Sequence, residues 1–228
     1  MSTSRIRRRA RFLVTPADYD AWYQTARGRW IGDTEFRLIA RLLGQCPGRQ
    51  LLDVGCGTGW FTRHFAAIPG LKVTGLDCDL ESLSFAHAHD SNTFYVQGNA
   101  QSLPFADASF DLVVSIAALC FIANWPSALK EMIRVTRTRF VIATLNRTSL
   151  LFRQKGRGNS SGAYRGAHWH THQALRSTFA MLPVTDLRFH SAIFCPTGSR
   201  IARLAEGILP NRLGCGALLV VSGRKLRP

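Results

Sequence analysis

The sequence predicts an α/β fold: a mostly parallel sheet with helices on both faces, three layers in all. Three observations carry this. Short apolar runs alternate with helical patterns through the first two-thirds of the chain, which implies right-handed crossovers between parallel strands. The first run ends in the cluster Gly55-Cys56-Gly57-Thr58-Gly59, which opens directly onto a helix. A central run, Phe110 to Ser115, is apolar enough for a strand buried on both faces.

The chain has 228 residues and is 46% hydrophobic, enough for one sizeable core. No stretch approaches the roughly 20 apolar residues a spanning helix needs, and the basic start, Arg5 to Arg11, lacks the apolar run of a secretory leader. A cytoplasmic protein is expected. The net charge is +15, which favours anionic partners. Nearly all the basic residues are Arg and they are scattered, without interleaved aromatics, so nucleic acid is not the expected main partner. Six cysteines are spread along the chain with no C-x-x-C pair, so reduced thiols are expected and neither a zinc site nor a disulfide framework.

In order, residues 1–15 read as a basic flexible arm and 17–44 as helical, with an apolar stripe through Phe36, Leu38, Ile39, Leu42 and Leu43. Gly44 and Pro47-Gly48 stop that helix. Gln50 to Val54 is the first strand, and Trp60 to about Ile68 a helix ended by Pro69-Gly70. Strands follow at 71–76, 94–97, 110–115 and 140–145, with helices at 80–89 and 125–135 between them. Residues 153–162 are polar, basic and glycine-rich, the composition of a mobile loop. Thr171 can cap a helix to about Leu182. A strand at 184–194, a helix at 199–208 and a last strand at 217–222 complete seven strands.

The glycine cluster has a chemical reading. A chain turning from strand to helix within a few residues needs glycine where a side chain would clash, and glycine lets a ligand approach the backbone. The helix N-terminus beyond it offers unpaired amides. Asp77 closes the second strand, where a carboxylate can accept both hydroxyls of a ribose. Trp60 stands where a dinucleotide fingerprint needs its third glycine, and there is no G-K-[ST] loop.

Leu51-Leu52-Asp53-Val54-Gly55-Cys56-Gly57-Thr58-Gly59 resembles the first motif of class I S-adenosylmethionine-dependent methyltransferases. Val73 to Asp77, Gly98 to Phe105 and Ser109 to Ser115 resemble that family's later motifs in the same order, across residues 50 to 145. The nearest group is methyltransferase type 11, which includes small-molecule enzymes. The resemblance implies a Rossmann-like seven-stranded sheet with an antiparallel last strand. It implies S-adenosylmethionine as cofactor and S-adenosylhomocysteine as product. Asp53, Gly55, Cys56 and Gly57 would flank the methionine part, Asp77 and Cys78 the ribose, Asn99 and Ala100 the adenine, and Ser115 the amine and sulfonium. Asn99 replaces the usual Asp, and Arg137-Thr138-Arg139 the usual Pro-Gly-Gly turn.

On the same resemblance 16–228 is a single domain. Residues 16–49 form a helical lid, 50–145 the cofactor core, 146–170 an acceptor-side loop and 171–228 the rest of the sheet. Tyr19, Trp22, Tyr23, Arg29 and Trp30 are candidate lid residues; Tyr164 and Trp169 are candidates on the loop side. His170 is the candidate general base, with Tyr19 and Arg29 as further catalytic candidates. His168, His170 and His172 alternate, but no acid lies near in sequence, and no metal is expected. The region after the fourth strand lacks the Pro-Pro motif of base-amine methyltransferases, which favours a small-molecule acceptor. Two alternatives remain: an RNA or protein methyltransferase that uses the basic arm, and transfer to a thiol or metalloid held by Cys120. A monomer or homodimer is expected.

Overall fold

The computed structural model describes residues 15–44, 49–156 and 162–226. The basic arm up to residue 14, Cys46, Pro47-Gly48 and 157–161 of the expected loop lie outside the described residues. The elements are α1 (Pro16–Trp22), α2 (Ala26–Leu43), β1 (Gln50–Val54), α3 (Trp60–Ala66), β2 (Lys72–Asp77), α4 (Leu80–His89), β3 (Phe94–Gln97), β4 (Phe110–Ile116), α5 (Trp125–Val135), β5 (Thr136–Leu145), α6 (His172–Phe179), β6 (Val184–Ala192), α7 (Arg200–Ile208) and β7 (Leu218–Lys225).

The seven strands lie in the order β3-β2-β1-β4-β5-β7-β6. They pair in parallel from β3 to β5, and β7 runs antiparallel to both its neighbours, as expected. Alternation along the strands divides the core. Val141 and Ala143 of β5 face α2 and α3 with Ile39, Leu43 and Phe65, while Phe140 and Ile142 face α5 and α6 with Leu129, Met132 and Phe179. The chain winds outward from β1 to β3, then returns to β4 on the other side of β1. This switch opens a crevice at the carboxyl ends of β1 and β4, the usual ligand site of such sheets.

Several boundaries differ from expectation: α6 ends at Phe179, β7 runs on to Lys225, and three further differences have visible causes. The expected helix 17–44 is two helices. Thr25 accepts from the Gly28 amide at 3.0 Å and starts α2 afresh. A side chain at Gly28 would strike the Trp22 carbonyl at 2.0 Å, so the tight corner requires glycine. The fifth strand starts four residues early, at Thr136, with no intervening turn. Arg137-Thr138-Arg139 lie inside it and anchor outward. Arg137 pairs with Asp111 at 2.9 Å, Thr138 donates to the Asp111 carbonyl, and Arg139 donates to the Leu43 carbonyl at the end of α2 at 2.6 Å. The sixth strand stops at Ala192, because Ile193 takes φ +63, a left-handed conformation rare for a β-branched residue. Glu206 stabilises that corner by accepting from the Ile193 and Phe194 amides at 2.8 and 2.9 Å.

Candidate active site

The glycine turn is held from below. The amides of Gly55 and Cys56 both donate to the Leu76 carbonyl, at 2.7 and 3.0 Å. Gly55 has φ +79, and a side chain there would lie 2.1 Å from the Ala118 side chain, so β1 and the turn after β4 meet at this glycine. Gly57 has φ +53, but a side chain there would meet nothing within 4 Å. The space above it is open, and its amide donates to Asp77 at 2.8 Å. The other Asp77 oxygen accepts from the Asp79 amide at 2.9 Å. Each carboxylate oxygen keeps a lone pair, so Asp77 can still accept two hydroxyls.

Asp53 lies beneath the turn and is buried. Burial pushes its carboxyl up to about 7; Thr62, donating at 2.7 Å, counters this in part, and the Asp77 charge adds to it. A buried acid so placed is stabilised by a bound cation, which a sulfonium with its ammonium group supplies. Open space over Gly57, remaining acceptor capacity at Asp77 and a buried carboxyl at Asp53 are compatible with S-adenosylmethionine. Asn99 is exposed with its side-chain oxygen toward Gln101, and Ala100 is buried beside it. Cys78 is exposed; the half-buried Cys56 thiol packs against the Gly75 backbone. Ser115 is fully buried and donates to the Val54 carbonyl at 2.8 Å, so its hydroxyl is committed within the sheet.

Sequence reasoning missed a clasp between lid and loop. Asp20 of α1, buried, accepts from Arg63 at 2.7 Å and from Thr58 at 3.1 Å, and Arg63 also donates to the Thr58 carbonyl at 2.7 Å. Helix α1 is thus tied to the glycine turn itself. Tyr23 reinforces it by stacking on Trp60 at 4.4 Å. Gly32 makes room, since a side chain there would press both rings.

Glu35 of α2 lies within electrostatic reach of Tyr19, of Tyr23 at the end of α1, and of Tyr164 in the segment after β5. Burial pushes the Tyr164 phenol up, and the Glu35 charge adds to it. Tyr23 is raised by burial, then by Tyr19 and Glu35. Tyr19 and Tyr23 face each other, oxygens 3.4 Å apart. Trp22, Trp30, Tyr164 and Trp169 are half-buried against the core that α2 covers. Glu35 has no hydrogen-bond partner among the described residues. Burial, then the nearby Glu206, raises its carboxyl to about 8. It was legible as an acid inside an apolar stripe, in phase with Ile31 and Leu38.

Other candidates are placed differently. Arg29 is exposed on the outer side of α2 and donates to the Gln24 carbonyl at 3.3 Å, away from this cluster. His170 is buried and bridges to Asn146; its amide donates to the Leu145 carbonyl at 2.8 Å. Its ring meets the edge of Trp125, and burial lowers its pKa to about 4. It is a neutral imidazole with little affinity for a proton at neutral pH. His172 packs on Phe189 instead of joining His170, and no metal-binding group of three His, Cys, Asp or Glu exists among the described residues. Cys120 is fully buried, and its sulfur accepts from the Leu145 amide at 3.1 Å. Burial raises its thiol to about 12, the reverse of what a thiolate ligand needs.

Comparison with known proteins agrees with this geometry. Residues 52–142 match the family model described as a methyltransferase domain, type 11. A malonyl-[acyl-carrier protein] O-methyltransferase of Serratia marcescens is 34% identical over 157 residues, covering 68% of this chain and 57% of its own. That of Erwinia billingiae is 41% identical over 105 residues, covering 45% and 41%. The chain thus spans about half the length of these curated relatives. An S-adenosylmethionine-dependent methyltransferase from Thermotoga maritima has the same fold, with TM-score 0.73 and 20% identity over 92% of this chain and 95% of its own. So does geranyl diphosphate C-methyltransferase from Streptomyces coelicolor, with TM-score 0.68 and 14% identity over 87% and 82%. No helix among the described residues is long and apolar enough to cross a membrane. Residues 52–142 are a methyltransferase domain of the type 11 group, within a fold shared with solved S-adenosylmethionine-dependent methyltransferases.

Proposed function

We propose that the protein transfers a methyl group from S-adenosylmethionine to a small-molecule acceptor held between the lid helices and the segment around Tyr164. The observation that carries this reading is the Asp20 clasp that ties α1 to the glycine turn, with Glu35 within electrostatic reach of Tyr19, Tyr23 and Tyr164. Asp53, Gly55, Gly57, Asp77, Asn99 and Ala100 hold the cofactor in this reading. The cofactor supplies an activated methyl on a sulfonium, so the chain's own residues mainly place the acceptor in line and exclude water. A nucleophile that enters protonated also needs a base.

Glu35 takes that role in place of His170. Its carboxyl has a proton affinity near neutrality and no partner to give up, whereas the His170 imidazole is too weak a base. Glu35→Gln is expected to lower kcat/KM for the acceptor at least about tenfold, at the low end of general-base effects. The wild type should show an ascending pH limb with an apparent pKa at or below about 8. A nearby sulfonium can only lower it, because it favours the charged carboxylate. The limb should vanish in Glu35→Gln. His170→Gln should leave it in place. If that limb disappears in the His170 variant and persists in the Glu35 variant, the base is His170.

The acceptor class is tested by label transfer. The enzyme with methyl-labelled cofactor is incubated with host extract divided into metabolite, RNA and protein fractions. Label among metabolites supports the proposal. Label confined to RNA or protein overturns it and gives the +15 charge a direct role.

A further inference from the structure

Helix α7 turns an apolar stripe to solvent. Ile201, Leu204 and Ile208 are 80%, 65% and 72% exposed, and at i, i+3 and i+7 they share one helical face. Leu209 and Leu213, which follow the helix in sequence, are 37% and 50% exposed. Only Ala202 of this helix is buried. Isolated apolar side chains at a surface need no explanation, but three on one short helical face, with two more exposed leucines following in sequence, do.

The surrounding charge says what covers it. Between residues 195 and 215 the basic residues are Arg200, Arg203 and Arg212, and the one acid is Glu206. Glu206 is turned inward onto the Ile193 and Phe194 amides, so the outer face carries positive charge alone. Arg41 joins it by donating to Asn211 at 2.8 Å. An apolar stripe fringed with arginine matches the interface of an anionic bilayer, where aliphatic side chains enter the acyl boundary and guanidinium groups meet lipid phosphates.

We propose that α7 docks this protein on an anionic lipid surface. The stripe adjoins the acceptor side. Arg203 donates to the Ala26 carbonyl at 3.0 Å and lies over the Trp30 ring, and Arg27 donates to the Pro196 carbonyl at 2.6 Å. Docking therefore brings the lid end of α2 to the lipid surface, where a lipid-soluble acceptor is concentrated. The surface assignment stands apart from the acceptor assignment, and cofactor affinity measured on the same samples keeps the two distinguishable.

The test is cosedimentation of the whole chain with vesicles of phosphatidylcholine alone and of phosphatidylcholine with phosphatidylglycerol. Any chain of charge +15 is drawn to an anionic surface, so the deciding variant changes the apolar stripe and not the charge. The triple variant Ile201→Gln, Leu204→Gln, Ile208→Gln alters only exposed side chains. It is expected to lose at least about tenfold in partition to the anionic vesicles while keeping its cofactor affinity. Arg200→Gln with Arg212→Gln should also weaken binding and reduce its salt dependence. Absent vesicle binding, or binding that the triple variant retains, overturns the proposal. So does a dimer, or a complex with an acidic protein, that the triple variant dissociates without any lipid binding.

Discussion

Replacing Asp77 by alanine is expected to weaken S-adenosylmethionine binding at least about tenfold while the protein stays folded. Two hydrogen bonds to a charged acceptor would be lost, each worth about 1.5–3 kcal/mol, so tenfold is a lower bound. The fold tolerates the change because Asp77 is half-buried at a strand end. The Gly57 and Asp79 amides that it accepts from can turn to water. Asp77→Asn separates charge from shape: it keeps one acceptor oxygen and should fall between the two. Isothermal calorimetry gives the affinity and a thermal melt checks the fold. Equal affinity in Asp77→Ala and the wild type would remove Asp77 from the ribose.

Asp20→Ala should cost both stability and cofactor affinity, although Asp20 belongs to a helix outside the cofactor motifs. The side chains of Arg63 and Asp20 are 21% and 13% exposed, so the pair is largely but not fully desolvated. Removing one partner leaves the guanidinium short of its anion and Thr58 without its acceptor. A fully buried pair broken in this way loses about 3–5 kcal/mol; residual solvent access brings the expectation to about 2 kcal/mol. For a chain of this size that is a fall of roughly 4–8 °C in Tm. Cofactor affinity should drop as well, because Thr58 lies within the turn that Asp20 steadies. If Asp20→Ala melts earlier but binds cofactor as the wild type does, the clasp is structural only. Arg63→Ala, which leaves the Thr58–Asp20 bond in place, should be the milder change.

The two halves of the site differ in how legible they were. Gly55, Gly57 and Asp77 were readable because their geometry is local. One strand, one turn and the end of the next strand place them, and glycine at φ +79 or +53 leaves a plain mark in a sequence. The departures at Asn99 and Arg137-Thr138-Arg139 were readable as departures, but their consequences were not. Only the folded chain showed Arg139 reaching the end of α2 and Arg137 reaching Asp111.

Arg29 and Glu35 could have been sorted by phase alone. At 3.6 residues per turn, Arg29 lies about 200° from Ile31, on the outer face, and Glu35 about 40° from it, on the inner face.

The sequence by itself determined the methyltransferase domain, the order of strands and helices, and the glycine turn with Asp77 at the end of the next strand. Tertiary structure decided what surrounds that turn, where α1, α2, α3 and α7, far apart in the chain, are joined by side-chain contacts such as Asp20–Arg63 and Arg203–Ala26. Burial also set the chemistry there. It raised the Glu35 carboxyl and the Cys120 thiol and lowered His170, because desolvation disfavours whichever form is charged, and desolvation depends on what the fold packs around a group.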